Sequence, residues 1–440
     1  MENQIKFTEK VIIPKILAKN PDLKNLKLVK CQVDQNKQID GFMGNIIFVN
    51  VEFENNIKRQ FVVKLMKPPS EMRTKMDSDF MFKNELFIYS DVIPTFLAKF
   101  QRKFKTIDPQ LWSPRVFLAE SGIYPELSPV TETLLAMENL TPLGYRLGNR
   151  STLSESELRL MCKAIAQYHA CSYALRINKD PTLDELKSHL TPVPFTKEDQ
   201  ETPTMPDVTY KVAVDRLLMY LDENPNELNS NSFKKDIENF KKLYGEKPSA
   251  LMQSFLRDDE KYSVILHGDY NRNNVLFKYE GDQVTDLRFI DFQEVRYGTP
   301  AIDVSFFLFM NMEVEAMEKG LLMTLVKFYH EHLMKSLAEL LEVDEDDEKL
   351  KDYRWEPFFH HFKQFGLYGA MVAVLFIPWM ICSEEECEKL TAAWEKDVYS
   401  EDYRQICLIC GGDPVNDRIT RIIRHASDIG FMKIFEKCDE

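Results

Sequence analysis

The sequence predicts an α+β protein of two lobes, in which a small β-rich lobe precedes a larger and mainly helical lobe. Three observations lead to this class. Apolar and β-branched residues form a hairpin pattern near residue 50, helical spacing dominates after about residue 150, and 440 residues are enough for two lobes. We therefore expect an N-terminal lobe over residues 1–140 and a C-terminal lobe over residues 141–440.

The charge balance narrows the partners that the protein can have. There are 56 Lys and Arg residues against 70 Asp and Glu residues, for a net charge of -14. This charge disfavours binding to nucleic acid or to an anionic membrane. The N-terminus, MENQIKFTEKVIIPKIL, lacks the continuous apolar core of a secretory signal, so we expect a cytosolic protein.

The elements of the first lobe follow from local patterns. Residues 46–66 read as two strands around the Asn55-Asn56 turn. In the following helical segment, apolar side chains recur every three or four residues, and Glu85 lies on the same stripe as Phe82 and Tyr89. This spacing predicts a buried helix face that carries a carboxylate. Residues 134–140 read as a strand that leads to the junction between the lobes.

Helical patterns organise the second lobe. Ser154 followed by Glu157 is typical of a capping box, and helical spacing continues to about Leu175. The apolar run 366–382 contains Pro378 and is shorter than the roughly 20 residues of a membrane-spanning helix, so it predicts a core helix. Cysteine spacing gives only one C-x-x-C pair, at residues 407 and 410, which predicts neither a disulfide scaffold nor a metal site.

Polar residues concentrate at strand ends between residues 264 and 293. Short strands are expected at 264–266, 275–279 and 287–290. This places Asp269, Asn274 and Asp291 at strand ends. Oxygen ligands of this kind suit a hard cation such as Mg²⁺ that bridges phosphate groups. A set of independent turn-capping residues is the plainer alternative, but it does not explain the whole string.

These residues also carry a resemblance to a known family. His267-Gly268-Asp269 with Asn274, and Ile290-Asp291-Phe292-Gln293, resemble the catalytic and metal loops of aminoglycoside and choline kinases. The continuation from Arg296 to Asp303 is similar to that of the ecdysteroid kinase-like proteins, and the resemblance spans roughly residues 40–435. Further matches are Phe82-x-x-Glu85, Glu138-Asn139-Leu140 and Ala166-x-x-His169-Ala170-x-Ser172. The resemblance implies a two-lobed protein-kinase-like fold.

The resemblance implies a role for each matching residue. Asp269 would accept or orient the proton of the substrate hydroxyl, while Asn274 and Asp291 would hold Mg²⁺ on the phosphates of ATP. Lys64 would contact those phosphates and pair with Glu85. Backbone groups of residues 136–139, which include Met137, Glu138 and Asn139, would contact adenine. The expected supporting residues are His267 and Asp303, which brace the catalytic loop, and His169, a structural helix residue.

Some positions depart from the family pattern. Tyr270-Asn271 replaces the usual Leu-Trp pair after the HGD motif, and Glu138-Asn139-Leu140 replaces Glu-Asp-Leu. The nucleotide-covering turn, Gly41 to Ile46, lacks the usual Ser, so the sequence does not show how this turn would bind phosphate.

The sequence therefore predicts an ATP- and Mg²⁺-dependent kinase that phosphorylates a hydroxyl group of a small molecule. The resemblance implies a largely apolar acceptor, such as an ecdysteroid or a hydroxylated xenobiotic, and the long apolar stretches of the second lobe add a reason from the sequence itself. One alternative is a pseudokinase that binds a small molecule or a partner without transfer. Another is a kinase for a cationic substrate of the choline or aminoglycoside type. A protein kinase is disfavoured, because no A-P-E sequence ends a segment between Asp291 and Asp303.

Overall fold

The computed structural model describes residues 2–33, 39–40, 44–67, 69, 73–74, 77–100, 102–103, 112–192, 195 and 203–438. The chain forms two compact units. The β-rich unit comprises Met1–Arg146, Ser188–Val193 and Leu276–Val295, and the helical unit comprises Leu147–Lys187, Pro194–Val275 and Arg296–Glu440. The predicted assignment of nucleotide binding to residues 1–140 and of catalysis to residues 141–440 stays a prediction.

A six-stranded sheet forms the frame of the β-rich unit. Its strands run in the order β1-β3-β4-β6-β5, and β2 pairs with β3. The neighbouring strands of this sheet are paired antiparallel, as β1–β3, β2–β3, β3–β4, β4–β6 and β5–β6. The strand bounds are β1 Leu28–Val33, β2 Ile39–Asp40, β3 Gly44–Phe53, β4 Ile57–Met66, β5 Val116–Ile123 and β6 Thr131–Glu138.

The predicted hairpin is confirmed as β3 and β4. The strands pair from Gly44↔Met66 to Phe53↔Ile57, and a short 3-10 turn, Glu54–Asn56, joins them. Asn56 has a φ of 60°, a left-handed conformation that Asn tolerates better than most residues. Every second residue of β3 is buried, so one face of the sheet packs into the core of this unit.

Short helices pack around this sheet. The predicted helix with the buried stripe is confirmed as α4, which continues through a π-helical turn, Ile88–Val92, into α5. Phe82, Glu85, Leu86 and Tyr89 are all buried. The helix bounds are α1 Glu2–Phe7, α2 Ile13–Lys19, α3 Pro21–Lys24, α4 Ser78–Phe87 and α5 Ile93–Phe100.

Short strands flank the predicted catalytic segment. Strands β7 Tyr145–Leu147, β9 Val275–Glu280 and β10 Gln283–Phe289 form a three-stranded sheet in the order β10-β9-β7. Gly281, with a φ of 63°, supplies the turn between β9 and β10. Strands β8 Val264–Ile265 and β11 Tyr297–Gly298 pair within the helical unit. The predicted strands are therefore present, with β10 beginning earlier than expected.

Helices make up most of the helical unit. Helix α6 begins with the predicted capping box of Ser154 and Glu157, and it packs along α13. The bounds are α6 Glu155–Ile177, α7 Thr182–His189, α8 Met205–Glu223, α9 Asn231–Tyr244, α10 Pro248–Phe255, α11 Ala301–Asn311, α12 Val314–Glu318, α13 Leu321–Leu341, α14 Trp355–Phe365, α15 Leu367–Ile381, α16 Glu384–Asp397, α17 Glu401–Ile409 and α18 Gly412–Asp428. These two units confirm the α+β class.

The longest apolar run folds as α15, with Pro378 inside the helix. Residues 348–381 are long and apolar enough to cross a membrane, but 72% of the most apolar window is buried inside the protein. Helix α15 lies so close to α11 that a Cβ atom at Gly369 would come within 2.3 Å of the carbonyl oxygen of Ser305. The run is therefore a packed core helix, as the sequence predicts.

Candidate active site

A buried ion pair joins the sheet to the helix of the β-rich unit. Lys64 lies on β4 and Glu85 on α4, and Nζ of Lys64 is 3.0 Å from Oε1 and 2.9 Å from Oε2 of Glu85. The same Nζ is 2.9 Å from Oδ1 of Asp291. One ammonium group therefore serves two carboxylates, and this trio carries a net negative charge.

Burial and charge act on this trio in opposite ways. Burial would lower the pKa of Lys64, but Asp291 and Glu85 outweigh burial and raise that pKa above its ordinary value. Burial raises the pKa of Glu85 to about 7, against the pull of Lys64 and with help from Asp291. The trio thus favours an added cation or a proton, a property expected of a nucleotide-metal site.

Asp291 is held in an uncommon backbone conformation. Its φ is 65°, in the left-handed region that non-glycine residues adopt only rarely. Its amide donates to the hydroxyl of Tyr89 over 3.3 Å, and its side chain is one-third exposed. Backbone strain of this kind gathers at functional sites. The sequence did not point to Tyr89 as a support of this residue, although Tyr89 follows Glu85 by four positions on the helical stripe.

Residues 136–139 lie at the end of β6 beside β4. Val63 is opposite Ala136 and Val62 is opposite Met137. The amide of Glu138 donates to the carbonyl of Arg115 over 2.8 Å, and the amide of Asn139 donates to the carbonyl of Gln60 over 3.0 Å. Adenine could therefore use these two amides only if the bonds opened. The prediction that this segment contacts adenine stays a prediction.

The nucleotide-covering turn is described only in part. Gly41, Phe42 and Met43 lie outside the described residues. Gly44 begins β3, where a Cβ atom would come within 2.8 Å of both the carbonyl oxygen of Leu65 and the ring of Phe82. Only glycine fits this position without a shift of its neighbours.

In the helical unit, amide groups orient the carboxylate of Asp269. Nδ2 of Asn274 donates to Oδ2 of Asp269 over 2.7 Å, and Nδ2 of Asn271 donates to Oδ1 over 2.7 Å. The turn Arg272–Asn274 between them is a short 3-10 helix. Each carboxylate oxygen therefore accepts a hydrogen bond from a side-chain amide, which fixes the orientation of the group. From the sequence, Asn271 was identified only as a departure from the family pattern. Its contact with Asp269 is shown by the structure.

A second carboxylate supports the residues just before Asp269. Asp303 accepts from the amide of His267 over 2.8 Å and from the amide of Gly268 over 2.9 Å. His169 contacts the same carboxylate through Nε2 at 3.1 Å, and its Nδ1 lies 2.9 Å from the hydroxyl of Tyr329. Tyr329 was not singled out by the sequence, because one tyrosine on a helical pattern carries no distinguishing signal.

Two buried side chains complete the surroundings of the catalytic loop. Tyr270 is fully buried and donates to the carbonyl of Met161 over 3.0 Å, so it anchors the loop. Arg272 is buried beside Arg150, and burial, with a smaller effect of Arg150, lowers the pKa of Arg272 to about 10. Arg272 therefore stays charged at neutral pH.

Each of the two units offers one oxygen donor of the type that hard divalent cations prefer. Across the described residues, no group of three or more His, Cys, Asp or Glu side chains could hold a metal ion. A phosphate-bridging Mg²⁺ needs few protein ligands, because phosphate and water oxygens complete its octahedron. Asn274 uses its amide nitrogen for Asp269, which leaves the amide oxygen as a ligand, and Asp291 offers a partly exposed carboxylate. These two groups are the predicted metal ligands, and that role stays a prediction.

The Lys64–Glu85 pair, the oriented Asp269 and the element order define a small-molecule phosphotransferase with a kinase-like fold. A sequence profile of the ecdysteroid kinase-like family matches residues 38–342, and the chain belongs to this family. The family prediction made from the motifs is thus confirmed. No curated protein matches the chain.

Solved structures of small-molecule kinases show a distant similarity. The amicoumacin kinase hAmiN, in complex with AMP-PNP, Ca²⁺ and Ami, has a TM-score of 0.41 at 12% identity, with 98% of this chain and 97% of that chain covered. A GDP complex of an aminoglycoside 2'-phosphotransferase has a TM-score of 0.38 at 12% identity, with 90% and 96% covered. The ethanolamine kinase of Plasmodium vivax has a TM-score of 0.35 at 13% identity, with 96% and 85% covered.

Proposed function

We propose that the protein transfers the γ-phosphoryl group of ATP to a hydroxyl group of a largely apolar small molecule, with Mg²⁺ as the metal ion. One observation carries this proposal. The carboxylate of Asp269 is oriented through both oxygens by Asn271 and Asn274, as a proton acceptor for an incoming hydroxyl must be.

Each residue then has a defined task in the proposed reaction. Asp269 accepts or orients the hydroxyl proton of the acceptor. Lys64 offsets negative charge on the phosphates, while Glu85 keeps the ammonium group in position. Asn274 and Asp291 supply oxygen ligands to the metal. When it is bound, Mg²⁺ neutralises phosphate charge and favours a productive phosphate geometry.

The apolar character of the acceptor has narrower support than the sequence indicated. All residues of α11 are buried, so its phenylalanines belong to the core and do not mark an acceptor pocket. Helix α15 is different, because Phe376 is exposed and Trp379, three residues further, is half-buried. The proposal of an ecdysteroid or hydroxylated xenobiotic as acceptor, in steroid metabolism or detoxification in the cytosol, therefore rests on the family and on this short apolar face.

A transfer assay with labelled ATP tests the proposal. The acceptor panel includes ecdysteroids, hydroxylated xenobiotics, choline and an aminoglycoside. We expect phosphorylation of hydroxylated apolar compounds only with a divalent metal ion present. Phosphorylation of the cationic compounds alone would refute the apolar acceptor and favour a choline or aminoglycoside type of kinase. A wild-type protein whose melting temperature does not respond to millimolar MgATP would instead be a pseudokinase.

A further inference from the structure

One arginine of the catalytic loop is buried without a counter-charge. Arg272 lies in the turn between Asp269 and Asn274 and is 8% exposed. Within the described part of the chain, its side chain makes no hydrogen bond or ion pair, and Nε is buried without an acceptor. A guanidinium group removed from water needs oxygen acceptors for its five N–H groups. The Nε–H group of Arg272 therefore lacks an acceptor within the described residues.

Two other buried arginines differ from Arg272, although Nε of Arg418 and of Arg424 also lacks an acceptor. Arg216 donates to the side chain of Asn416 and to the carbonyl groups of Cys407 and Cys410, over 2.7 to 3.0 Å. Arg73 pairs with Asp79 and Glu132. Both of these arginines therefore have oxygen partners within the chain. Arg272 has none, which indicates that its partner comes from outside the chain.

The charged neighbour of Arg272 is another arginine. Arg150 acts on Arg272 as a like charge. The guanidinium of Arg150 is tethered by a 3.0 Å bond from Nη2 to the carbonyl of Trp379, near the end of α15. Two like charges repel one another unless an anion neutralises them. An oxyanion with several acceptor oxygens would satisfy both guanidinium groups at once.

The surroundings also indicate what the oxyanion is attached to. Trp379, whose carbonyl tethers Arg150, shares with the exposed Phe376 the short apolar face of α15. A ligand that uses both features has an apolar body and an acidic group. Free inorganic anions would use only the arginines.

We propose that Arg272 and Arg150 form an oxyanion-binding site, and that the phosphoryl acceptor carries a carboxylate, sulfate or phosphate group in addition to its hydroxyl. The oxyanion site stands on the burial of Arg272 alone, whereas naming its ligand as the acceptor rests on the proposed kinase function.

Anion binding is measured first, by thermal melts in increasing inorganic sulfate or phosphate, with chloride as the reference at constant ionic strength. We expect sulfate to raise the melting temperature of the wild-type protein. Arg272→Met removes an unsatisfied buried charge, so it is expected to melt above the wild type without sulfate and to lose most of the sulfate response. Arg272→Lys is expected to keep part of the response. The control is Arg59→Met, the same charge change at an exposed position of β4, and it should respond like the wild type.

Three results would overturn the oxyanion site: no sulfate response in the wild type, an equal response in Arg272→Met, or a lower melting temperature of Arg272→Met without sulfate. If Arg272→Met does not fold, Arg150→Gln takes its place and has to weaken the sulfate response. The MgATP melt is a separate measurement. If MgATP did not change the melting temperature of the wild type, the proposed kinase function would be refuted and the sulfate result would be unaffected.

The acceptor is tested with matched compounds, a hydroxylated steroid and the same steroid bearing a carboxylate. In the wild type, the acidic compound is expected to have the lower KM. Arg272→Met should raise the ratio of its KM to that of the neutral compound by about tenfold, as expected for one lost charge-assisted contact. An unchanged ratio would exclude the acidic group from this site.

Discussion

Nε2 of His169 lies 3.1 Å from Oδ2 of Asp303, and both side chains are fully buried. Because a carboxylate can only accept, the ring hydrogen of His169 is on Nε2, and Nδ1 accepts from the hydroxyl of Tyr329. The same carboxylate accepts from the amides of His267 and Gly268. Helices α6 and α13 are thereby tied to the backbone just before Asp269.

The Tyr329→Phe variant tests whether this chain of hydrogen bonds positions Asp269. Removal of the hydroxyl leaves Nδ1 of His169 without its donor, so we expect the free energy of unfolding to fall by about 1 kcal/mol in urea titrations. We also expect kcat to fall severalfold with KM for ATP unchanged. Tyr173→Phe is the control, since it removes a buried bond to the carbonyl of Tyr262 in the same unit. Equal kcat values for the two variants would contradict a positioning role.

The Asp269→Asn variant tests the proposed proton acceptor. The amide keeps the shape of the carboxylate but cannot take the proton, so turnover should fall by about 10²-fold or more. The protein should still fold and should keep its melting response to MgATP. Turnover near that of the wild type would show that Asp269 is not the acceptor of the proton.

The Asn271→Ala variant tests the contact that the sequence did not predict. Loss of one of the two amide donors leaves Asp269 free to rotate, and we expect kcat to fall by about tenfold, the equivalent of about 1.4 kcal/mol. Asn273→Ala is the matched control, because its side chain is exposed in the same turn. If both variants lose activity equally, the effect belongs to the turn and not to the Asn271 contact.

Sequence patterns were sufficient to predict the elements whose secondary structure is determined by neighbouring residues in the chain. The hairpin of β3 and β4 was predictable because β-branched residues flank a turn dipeptide, and α6 because Ser154 and Glu157 cap it locally. The family motifs predicted that Lys64 pairs with Glu85, whereas the contact of Lys64 with Asp291 was not predicted.

Contacts between distant segments were not predictable in the same way. Tyr329 reaches His169 across 160 positions of sequence, and Asp303 reaches the amide of His267 across 36. A tyrosine or an asparagine has no pattern that shows which partner it will meet after folding. The sequence also left open whether the apolar residues of α11 line a pocket or belong to the core, since a run of apolar residues fits both a core helix and a pocket wall.

The Lys64→Met variant tests the nucleotide end of the site. It removes the one ammonium group between Glu85 and Asp291, so the melting response to MgATP should weaken. Asp291→Ala should abolish the part of that response that depends on Mg²⁺, and chelation of the metal with EDTA should do the same in the wild type. An ATP response that is indifferent to EDTA would argue against a metal-bridged nucleotide.

The pKa of Glu85 predicts a dependence of stability on pH. It is raised from 4.5 to about 7, mainly by burial, so between these values the folded protein holds a proton that the unfolded chain has lost. The free energy of unfolding should therefore fall as the pH rises from about 4.5 to 7, by at most about 3 kcal/mol. The raised pKa of Lys64 acts only above its ordinary value of 10.5, outside this window.

Glu85→Gln should remove this component and flatten the curve, because the amide does not titrate. Urea unfolding from pH 5 to 8 measures the effect, and Glu238→Gln, at an exposed position of α9, is expected to keep the slope of the wild type. Parallel curves for the wild type and Glu85→Gln would mean that Glu85 is ionised throughout, with Lys64 fully compensating its charge. MgATP should also reduce the slope in the wild type, since a metal ion at Asp291 removes one of the charges that raise the pKa of Glu85.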